Sequence, residues 1–439
     1  QLDSYKEALD FIHGRTKFKK IPTLKRMFKF LELLGNPQKK VNAIHIAGTN
    51  GKGSTLAYLR YLFQLTGYQV GSFTSPFLIK FNERISVNGE PISDAEILRL
   101  ANHVKPIVDQ LDNELPEGGP TEFEIITAMM FSYFAEGHAD VVLIETGLGG
   151  LFDSTNVVTP QVSVITTIGY DHMNILGDTL EKIAAQKAGI IKDNVPVVVG
   201  NVAAGPMKVI QQTANSHGST LYKLGRDFHA SYSEVKDWME RFVYSGFNYS
   251  LNLRTKLLGE FQAHNASVAV SAYLVYCKLN NIQPNGYSIQ DAIKITSWAG
   301  RFERLSSHPF IYIDGAHNVP AAQQLVKLLN TNYFSGKIYI VIAILADKQA
   351  KEFVDEMSKV NNVEITLTTF NTPMNRELFD AVSVEQAENK KGVKVNFEPD
   401  YKDAINHIKA KMGANDLLLM TGSLYFISDV RAYLLEYSD

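Results

Sequence analysis

The sequence of 439 residues contains one cysteine, Cys277, within the apolar helical pattern SAYLVYCKLN. A single cysteine excludes a disulfide framework within the chain and favours a reducing compartment, so we expect a cytoplasmic protein. In these apolar surroundings the thiol is interpreted as part of the core.

Long apolar runs and an excess of either charge are also missing. No run reaches the ~18 apolar residues of a membrane span, so no membrane association is expected. The formal net charge is −3 and no basic block stands out, which disfavours nucleic acid as a partner. Hydrophobic residues make up 45% of the chain, enough for a large core, and the length favours two or three domains.

Strand and helix patterns alternate through the first half of the chain. The stretches DVVLIETG, QVSVITTIG and VPVVVGN are apolar along their whole length, as in a parallel sheet covered on both faces by helices. Residues 226–261 interrupt this alternation with a short-period aromatic and polar pattern, which predicts antiparallel strands. The strongly helical stretch QAHNASVAVSAYLVYCKLN follows.

The alternation restarts after Trp298. Five further strand patterns predict a second α/β domain, namely PFIYIDGAH, KIYIVIAIL, VEITLTTF, VKVNFEP and NDLLLMTG. A second strand set of its own supports an independent domain, so we divide the chain into residues 1–297 and 298–439.

Local signals mark a turn and two helix starts. Asn88-Gly89 within ISVNGEPI is typical of a two-residue β-hairpin. Ser93 with Glu96, and Thr121 with Glu124, match capping boxes that begin the helices DAEILRLANHVKPIVDQL and EFEIITAMMFSYFAEG.

The stretch HIAGTNGKGST resembles a phosphate-binding loop but departs from the strict G-x-x-x-x-G-K-[ST] pattern. Lys52 follows Gly51, yet Ile46 occupies the first glycine position, and Gly53 places the hydroxyl of Ser54 one residue late. Backbone N–H groups at glycines, a helix N-terminus and a lysine together favour an anion. The alternative, a strand–helix turn with an exposed lysine, is disfavoured because all four features occur in order.

Four candidate residues follow apolar strands or lie on the next helix. Glu145 ends VVLIE, where ligands bind open α/β sheets and where a carboxylate is placed to hold Mg²⁺. Asp171 and His172 follow a second strand. Lys187 lies on the predicted helix Thr179–Gly189 among apolar neighbours, so it is expected to face inward. Each has an ordinary alternative: a turn-capping carboxylate, a structural histidine and a solvated lysine.

The second half carries its own candidates. GRFERL holds Arg301 and Arg304, IYIDGAHN places Asp314 and His317 at a strand end, and LMTGSLY does the same for Ser423. Asp-Gly and His-Asn also form ordinary turns, and Ser423 is equally suited to capping a helix.

Together these motifs resemble those of the folylpolyglutamate synthase family, within the Mur ligase superfamily. The motifs occur in order from about residue 45 to 425: GTNGKGS, TSPF, FNERI, GLGG with DSTN, DH, KAGIIK, HN, GRFE, DGAHN, ADK and TGSLY. The shifted loop is the Mur-type form. One departure is Leu151, where the family often has a polar residue.

The resemblance implies an N-terminal P-loop domain of the Mur-ligase type, with a mostly parallel sheet plus a small antiparallel sheet. It implies a C-terminal Rossmann-like α/β domain. The implied reaction is ATP-dependent amide formation: a substrate carboxylate attacks the γ-phosphate of ATP, and L-glutamate displaces phosphate from the acyl phosphate. Implied partners are reduced folate or dihydropteroate and L-glutamate, and implied cofactors are ATP and Mg²⁺, with room for a monovalent cation. A monomer is expected.

The resemblance also assigns roles to individual positions. ATP contacts are implied for Thr49, Asn50, Gly51, Lys52, Gly53, Ser54, Asn265, Arg301 and Asp314. Magnesium ligands are implied for Ser75, Glu145, His172 and Lys187. Lys187 matches the carbamylated lysine of the superfamily, and His317 matches a histidine beside the γ-phosphate. Together with Asp314, these two residues form the implied catalytic set. Phe77 and Ser423 are implied to contact substrate.

Three alternatives differ in class or substrate. A cell-wall Mur ligase shares the mechanism but is disfavoured by GKGS and by the TSPF and NERI segments. A regulatory P-loop NTPase or kinase requires Ser or Thr directly after the lysine. An inactive binding module predicts loss of Lys52, Glu145 or His172, and all three are present.

Overall fold

The computed structural model describes residues 1–75, 77, 80–331, 333–346, 348–373 and 376–436. Two compact units make up the chain. The first comprises residues 1–231, 243–253 and 264–295, and the second comprises residues 232–242, 254–263 and 296–439. The division at residue 297/298 stays a prediction; the last change of unit along the chain is at 295/296.

The first unit is built on an eight-stranded sheet in the order β4-β3-β2-β5-β1-β6-β7-β8. The strands are β1 Ala43–Ala47, β2 Val70–Phe73, β3 Ile85–Val87, β4 Glu90–Pro91, β5 Val141–Glu145, β6 Val162–Thr167, β7 Val197–Asn201 and β8 Leu221–Lys223. Neighbours from β2 to β8 are parallel, and β3 and β4 add an antiparallel edge. The central strands are buried on both faces, as their continuous apolar sequence predicts.

Helices cover this sheet. They are α1 Tyr5–His13, α2 Lys25–Leu33, α3 Lys52–Leu65, α4 Asp94–Glu114, α5 Glu122–Phe134, α6 Met173–Leu176, α7 Leu180–Ala188, α8 Ala204–Ser216, α9 Glu260–Leu279 and α10 Gly286–Ile295. The apolar faces of α1, α2, α4 and α5 form one large core with the sheet. In the described part of the chain, no helix combines the length and apolarity needed to cross a membrane.

The predicted local signals are found. Thr121 Oγ1 accepts from the N–H of Glu124 and the Glu124 side chain returns the contact, which forms the capping box. Ser93 accepts from the N–H of Glu96 and so caps α4, but the Glu96 carboxylate is bound by Arg99, so only half of the predicted capping box is formed. Asn88-Gly89 connects β3 to β4 with positive φ at both residues, as a type I′ hairpin requires.

Three strands follow in residues 228–255: β9 Phe228–Lys236, β10 Met239–Gly246 and β11 Tyr249–Thr255. They form a separate sheet in the order β11-β10-β9. The two-residue turns 237–238 and 247–248 have positive φ throughout and connect neighbouring strands, so both pairs are hairpins. The predicted small antiparallel sheet is confirmed.

The second unit contains a six-stranded sheet in the order β12-β13-β17-β14-β15-β16. Its strands are β12 Glu303–Ser307, β13 Phe310–Asp314, β14 Ile338–Ile342, β15 Val363–Thr369, β16 Val395–Asp400 and β17 Leu417–Thr421. Its helices are α11 Val319–Leu329, α12 Ala350–Met357, α13 Ala381–Lys390, α14 Tyr401–Lys411 and α15 Leu424–Glu436. All neighbours are parallel except the antiparallel edge strand β12, so the predicted α/β class is confirmed in this unit too.

Candidate active site

The loop between β1 and α3 is held by threonines at the end of β6. The carbonyl of Asn50 accepts from Thr166 Oγ1 at 2.6 Å and from Thr167 Oγ1 at 3.0 Å. The N–H of Thr49 donates to the Thr167 carbonyl at 3.0 Å. Because β1 and β6 are parallel neighbours, their ends meet at one edge of the sheet, and the loop is fixed there before any ligand binds.

Gly51 is the residue that turns this loop into α3. It has φ 90° at the N-cap position, a conformation that glycine adopts without steric cost. A Cβ at this position would come within 2.4 Å of Asn265 Oδ1, so the side chain from α9 packs directly on the loop. The structure therefore brings Asn265 to the loop, as an ATP-contacting role requires.

Lys52 begins α3 and points toward the end of β5. Its Nζ lies 3.3 Å from the carbonyl of Thr146, the residue after Glu145. Glu145 is 5% exposed, and its Oε2 lies 3.4 Å from the N–H of Ser75. The loop lysine, the strand-end carboxylate and Ser75 thus occupy one edge of the sheet.

Arg84 is a residue of this edge that the sequence analysis did not assign. Its Nη1 donates to Ser75 Oγ at 2.9 Å. Arg84 belongs to the FNERI motif, and this motif was the only sequence signal that pointed to a role for it. The spacing in the sequence does not indicate that the Arg84 and Ser75 side chains meet.

Lys187 is buried on α7, in agreement with its apolar helical neighbours, and is 3% exposed. Burial and the nearby Lys52 ammonium lower the pKa of Lys187 to about 7, while Asp171 and Asp153 oppose the shift. A substantial fraction of the side chain is therefore an uncharged amine near neutral pH, which an exposed lysine is not.

His172 lies beside Asp171 at the start of the short helix α6. It has φ 48°, and its Nε2 is 3.8 Å from Asp171 Oδ2. Its side chain is 40% exposed, so the ring is accessible from solvent. Asp171 is close to both predicted metal ligands of this region. It precedes His172 in the chain, and its negative charge raises the pKa of Lys187.

Asp153 organises the glycine-rich loop that follows β5. Its Oδ1 accepts from the N–H groups of Gly147 and Leu148, both at 2.9 Å, and its Oδ2 accepts from Thr155 Oγ1. Because the Thr155 hydroxyl donates its hydrogen bond to this carboxylate, its oxygen accepts from Nε2–H of the buried His45 at 2.8 Å. Burial lowers the pKa of His45 to about 3, so this strand histidine is neutral and structural.

Leu151, the departure from the family pattern, serves this loop through its backbone. Its N–H donates to the Gln186 carbonyl at 2.7 Å, and its carbonyl accepts from Asn156 Nδ2 at 3.1 Å. The side chain is 37% exposed. The exchange of a polar residue for leucine therefore leaves the backbone contacts of the loop intact.

The residues around Glu145 fit Mg²⁺. A buried carboxylate beside the backbone N–H of a serine offers few protein oxygens, and this suits an ion that keeps several waters and phosphate oxygens. Within the described ranges, no three His, Cys, Asp or Glu side chains converge as an all-protein metal cage would require.

Phe77 packs against the core of the first unit. Its ring lies 6.1 Å from that of Phe81, and the Arg84 guanidinium lies 5.4 Å from its centroid. Phe81 in turn contacts the His13 ring at 5.6 Å. Pro76 of the TSPF motif and Asp347 of the ADK motif lie outside the described residues.

In the second unit, Asp314 closes a turn at the end of β13. Its Oδ2 accepts from the N–H of Phe302 at 2.9 Å and its Oδ1 from the N–H of Ala316 at 2.8 Å. Burial raises the pKa of Asp314 above its ordinary value, although the neighbouring Arg301 guanidinium opposes this. Phe302, with φ 41°, was not foreseen as a partner of this aspartate.

His317 and Ser423 lie on loops that follow neighbouring strands. Asp314 of β13 pairs with Thr421 of β17, so the two loops emerge side by side. His317 Nδ1–H donates to the Gly315 carbonyl at 3.0 Å. Ser423 is buried and accepts from the N–H of Tyr425 at 3.2 Å, so it caps α15; its contact with substrate stays a prediction.

Comparison with known proteins identifies the family. Residues 46–273 match the Mur ligase middle domain, and residues 300–424 match the Mur ligase glutamate ligase domain. A dihydrofolate synthase/folylpolyglutamate synthase of Bacillus subtilis is 41% identical over 98% of both chains.

Solved structures extend this similarity to the fold. A Mycobacterium tuberculosis folylpolyglutamate synthase complexed with ADP and AMPPCP superimposes with a TM-score of 0.89, at 27% identity over 98% of both chains. An FPGS–AMPPCP–folate complex does so with a TM-score of 0.84, at 32% identity over 99% of this chain and 100% of the other. The chain therefore belongs to the folylpolyglutamate synthase/dihydrofolate synthase family of ATP-dependent ligases, within the Mur ligase superfamily.

Proposed function

We propose that this protein adds L-glutamate to a reduced folate in an ATP-dependent reaction with an acyl-phosphate intermediate. The observation that carries the proposal is the buried Lys187 amine, with a pKa of about 7, near the phosphate-loop lysine Lys52. A solvated or purely structural lysine has no reason to be placed next to a second cation in the core. A lysine that is to be converted to a carbamate needs its neutral amine, and burial supplies it.

The first half-reaction is phosphoryl transfer. An oxygen of the folate carboxylate attacks the γ-phosphorus, the bond to ADP breaks, and an acyl phosphate forms. Residues 49–54 and Asn265 hold the nucleotide phosphates, and Lys52 neutralises their charge, which is most of what phosphoryl transfer requires. We assign further ATP contacts to Arg301 and Asp314, and a position beside the γ-phosphate to His317.

The second half-reaction forms the amide. The amine of L-glutamate attacks the acyl carbon, the tetrahedral intermediate expels inorganic phosphate, and the amine loses a proton. Phe77 contacts the folate and Ser423 contacts substrate. One Mg²⁺ held by Ser75, Glu145 and His172, and a second held by carbamylated Lys187, would supply charge neutralisation at the phosphates.

Dihydrofolate synthesis from dihydropteroate and L-glutamate is a second candidate activity. It uses the same chemistry on a substrate without a glutamate, and the 41% identical Bacillus subtilis relative is named for both activities. The sequence motifs do not separate the two substrates.

One experiment tests both activities. The purified protein is incubated with ATP, Mg²⁺ and L-glutamate, and with either tetrahydrofolate or dihydropteroate, and phosphate release and product mass are measured. We expect phosphate release that depends on both the pterin substrate and glutamate. The proposal would be contradicted if phosphate were released equally well without tetrahydrofolate and without dihydropteroate. It would also be contradicted if phosphate release required a nucleotide-linked muramyl substrate.

Three properties remain proposals of the same kind: a monomeric state, a cytoplasmic location and an additional monovalent cation. Cys277 is buried, and burial raises the pKa of its thiol to about 11, which supports the interpretation of this thiol as a core group. Light scattering of the purified protein tests the oligomeric state, and replacing K⁺ with a quaternary ammonium salt in the assay tests the monovalent cation.

A further inference from the structure

The near-neutral overall charge hides a local excess of positive charge. Between Asp10 and Glu32 the sequence contains seven lysines and arginines and no acidic residue. The expectation that no basic block exists was therefore wrong for residues 15–29, which we call the basic segment. It comprises the connection from α1 to α2 and the first turns of α2.

Two of the seven cations are neutralised within the fold. Arg15 makes a bidentate pair with Asp112, at 2.6 and 2.8 Å. Arg26 pairs with the buried Glu124 at 2.8 Å. These contacts fix the segment on α4 and α5, so it has a defined position on the first unit.

Among the described residues, three exposed lysines of the segment have no such partner. Lys20, Lys25 and Lys29 are exposed, and among the described residues none of the three has a carboxylate within ion-pair distance. Lys25 and Lys29 are four residues apart on α2 and so lie on one face of the helix. This surface repels cations and attracts an anion with several spaced charges.

Exposed apolar side chains alternate with these lysines. Phe18 is 68% exposed, Ile21 59% and Phe28 48%. A patch of this composition suits a ligand that combines carboxylates with methylene or aromatic groups, because the apolar side chains contact the latter while the lysines pair with the former.

The basic segment adjoins the candidate site at Lys19, and the end of α1 just before the segment adjoins it at His13. Lys19 Nζ donates to the carbonyl of Phe152 at 2.6 Å, within the glycine-rich loop after Glu145. At the other point, the His13 ring contacts Phe81, the neighbour of Phe77. Both contacts lie within the first unit, so the basic segment is linked to the loop after Glu145 and to the Phe77–Phe81 pair.

We propose that the basic segment binds the oligo-γ-glutamate tail of the folate substrate, with Lys20, Lys25 and Lys29 pairing with its α-carboxylates. The inference rests on the proposed function, because each cycle of that reaction adds one free carboxylate to the tail. A longer tail reaches more lysines and binds more tightly. The segment thus makes the enzyme favour substrates that it has already extended.

The test compares pteroylmonoglutamate with pteroyltetra-γ-glutamate by equilibrium dialysis at low ionic strength. Exposed ion pairs contribute about 0.2–1 kcal/mol each, so three lost pairs are expected to weaken binding of the tetraglutamate about 10-fold. The variant Lys20→Gln/Lys25→Gln/Lys29→Gln should show this loss and bind the monoglutamate within about 2-fold of the wild type. Added salt should remove the difference.

Two controls accompany this variant. Lys208→Gln/Lys278→Gln/Lys294→Gln removes the same charge from exposed positions on α8, α9 and α10 and should leave both affinities unchanged. Lys20→Arg/Lys25→Arg/Lys29→Arg keeps the charge and should retain the preference for the longer tail.

The outcomes separate this inference from the proposed function. Equal affinity of the wild type for both ligands, or equal losses for both in the Gln variant, would overturn the tail site. Tighter binding of oligothymidylate than of the tetraglutamate through the same lysines would do the same and indicate a nucleic-acid surface. Turnover of tetrahydrofolate is measured separately, and its absence would count against the proposed function even if the binding preference is found.

Discussion

The side chain of Asn265 lies directly over Gly51, so that a Cβ on the glycine would come within 2.4 Å of Asn265 Oδ1. The contact joins α9 to the turn that begins α3, two elements more than 200 positions apart in the sequence. It leaves room for a backbone without a side chain and for nothing larger. The shape of the phosphate loop is thus set partly by a helix remote from it in the chain.

This relationship predicts the effect of Gly51→Ala. The substitution should lower the free energy of unfolding by about 1–2 kcal/mol through the left-handed backbone alone, and further through the collision with Asn265. Gly67→Ala is the matched control, since Gly67 has φ 95° and no heavy atom within 4 Å of a built Cβ. Urea unfolding measures both. Equal losses of unfolding free energy in Gly51→Ala and Gly67→Ala would show that the contact is unimportant. The same conclusion would follow if the extra loss in Gly51→Ala persisted in the double variant Gly51→Ala/Asn265→Ala.

Lys52→Ala is expected to lower kcat/KM by ~10³-fold, about 4 kcal/mol, because a preorganised charge at the phosphates is lost. The same variant should raise the pKa of Lys187, since the Lys52 ammonium helps to lower it. The pH dependence of reductive methylation at Lys187 measures the second effect. Lys182→Ala, an exposed position on α7, is the control. Near-normal ligase activity of Lys52→Ala would exclude the loop as the ATP site.

Carbamylation of Lys187 should depend on pH. With a pKa of about 7, the reactive neutral amine increases as the pH rises through 7, so incorporation of ¹³C-bicarbonate at this residue should increase in the same range. Lys187→Ala should nearly abolish ligation, and acetate or another short carboxylate should partly restore it by supplying oxygens. A high-resolution density map with a bare Lys187 ammonium beside ATP and Mg²⁺ would be decisive against this mechanism.

The same pKa predicts a stability effect with a definite sign. Because the folded-state pKa of Lys187 is about 7 and the ordinary value is 10.5, unfolding takes up a proton between these values. Stability should therefore rise with pH across this window. In Lys187→Met that contribution to the slope should disappear. A wild type and variant with parallel stability–pH curves would argue against a neutral buried amine.

Asp314→Asn separates a structural role from one in catalysis. Each carboxylate oxygen accepts from one backbone N–H group, and Asn replaces one of these oxygens with an NH₂ donor, so we expect a loss of about 1–3 kcal/mol in stability. Asp416→Asn is the matched control, because Asp416 also accepts two backbone N–H groups, at 2.9 and 2.7 Å, before β17 begins. Both variants should lose stability in thermal unfolding, but only Asp314→Asn should lose ligase activity. Equal activity would remove Asp314 from the site.

The elements that the sequence predicted well are those in which local pattern and burial agree. The strands around Ile144 and Val164 are apolar on both faces, and only a sheet covered by helices can bury them. The inward position of Lys187 followed from its apolar neighbours on a helix. The turn at Gly51 followed from the position of glycines between a strand and a helix.

Other features depend on contacts that no local pattern encodes. The hydroxyls of Thr166 and Thr167 hold the phosphate loop, yet Thr-Thr at a strand end is an ordinary sequence. Arg84 contacts Ser75 across a bend in the chain, and the spacing of residues in the sequence does not determine the geometry of that bend. The basic segment was missed because net charge was taken over the whole chain, where distant acidic residues cancel it.

The second unit includes residues 232–242, and Trp238 from this stretch packs on Phe310, Tyr312 and Tyr333 of the same unit. During synthesis on a ribosome, the indole emerges about 70 residues before the first of these partners. The second unit is thus unable to complete its packing until most of the chain has left the exit tunnel. Since the protein has only two tryptophans, Trp238 and Trp298, a Trp298→Phe variant would carry a single tryptophan, whose selectively excited fluorescence reports when this late step of folding is reached.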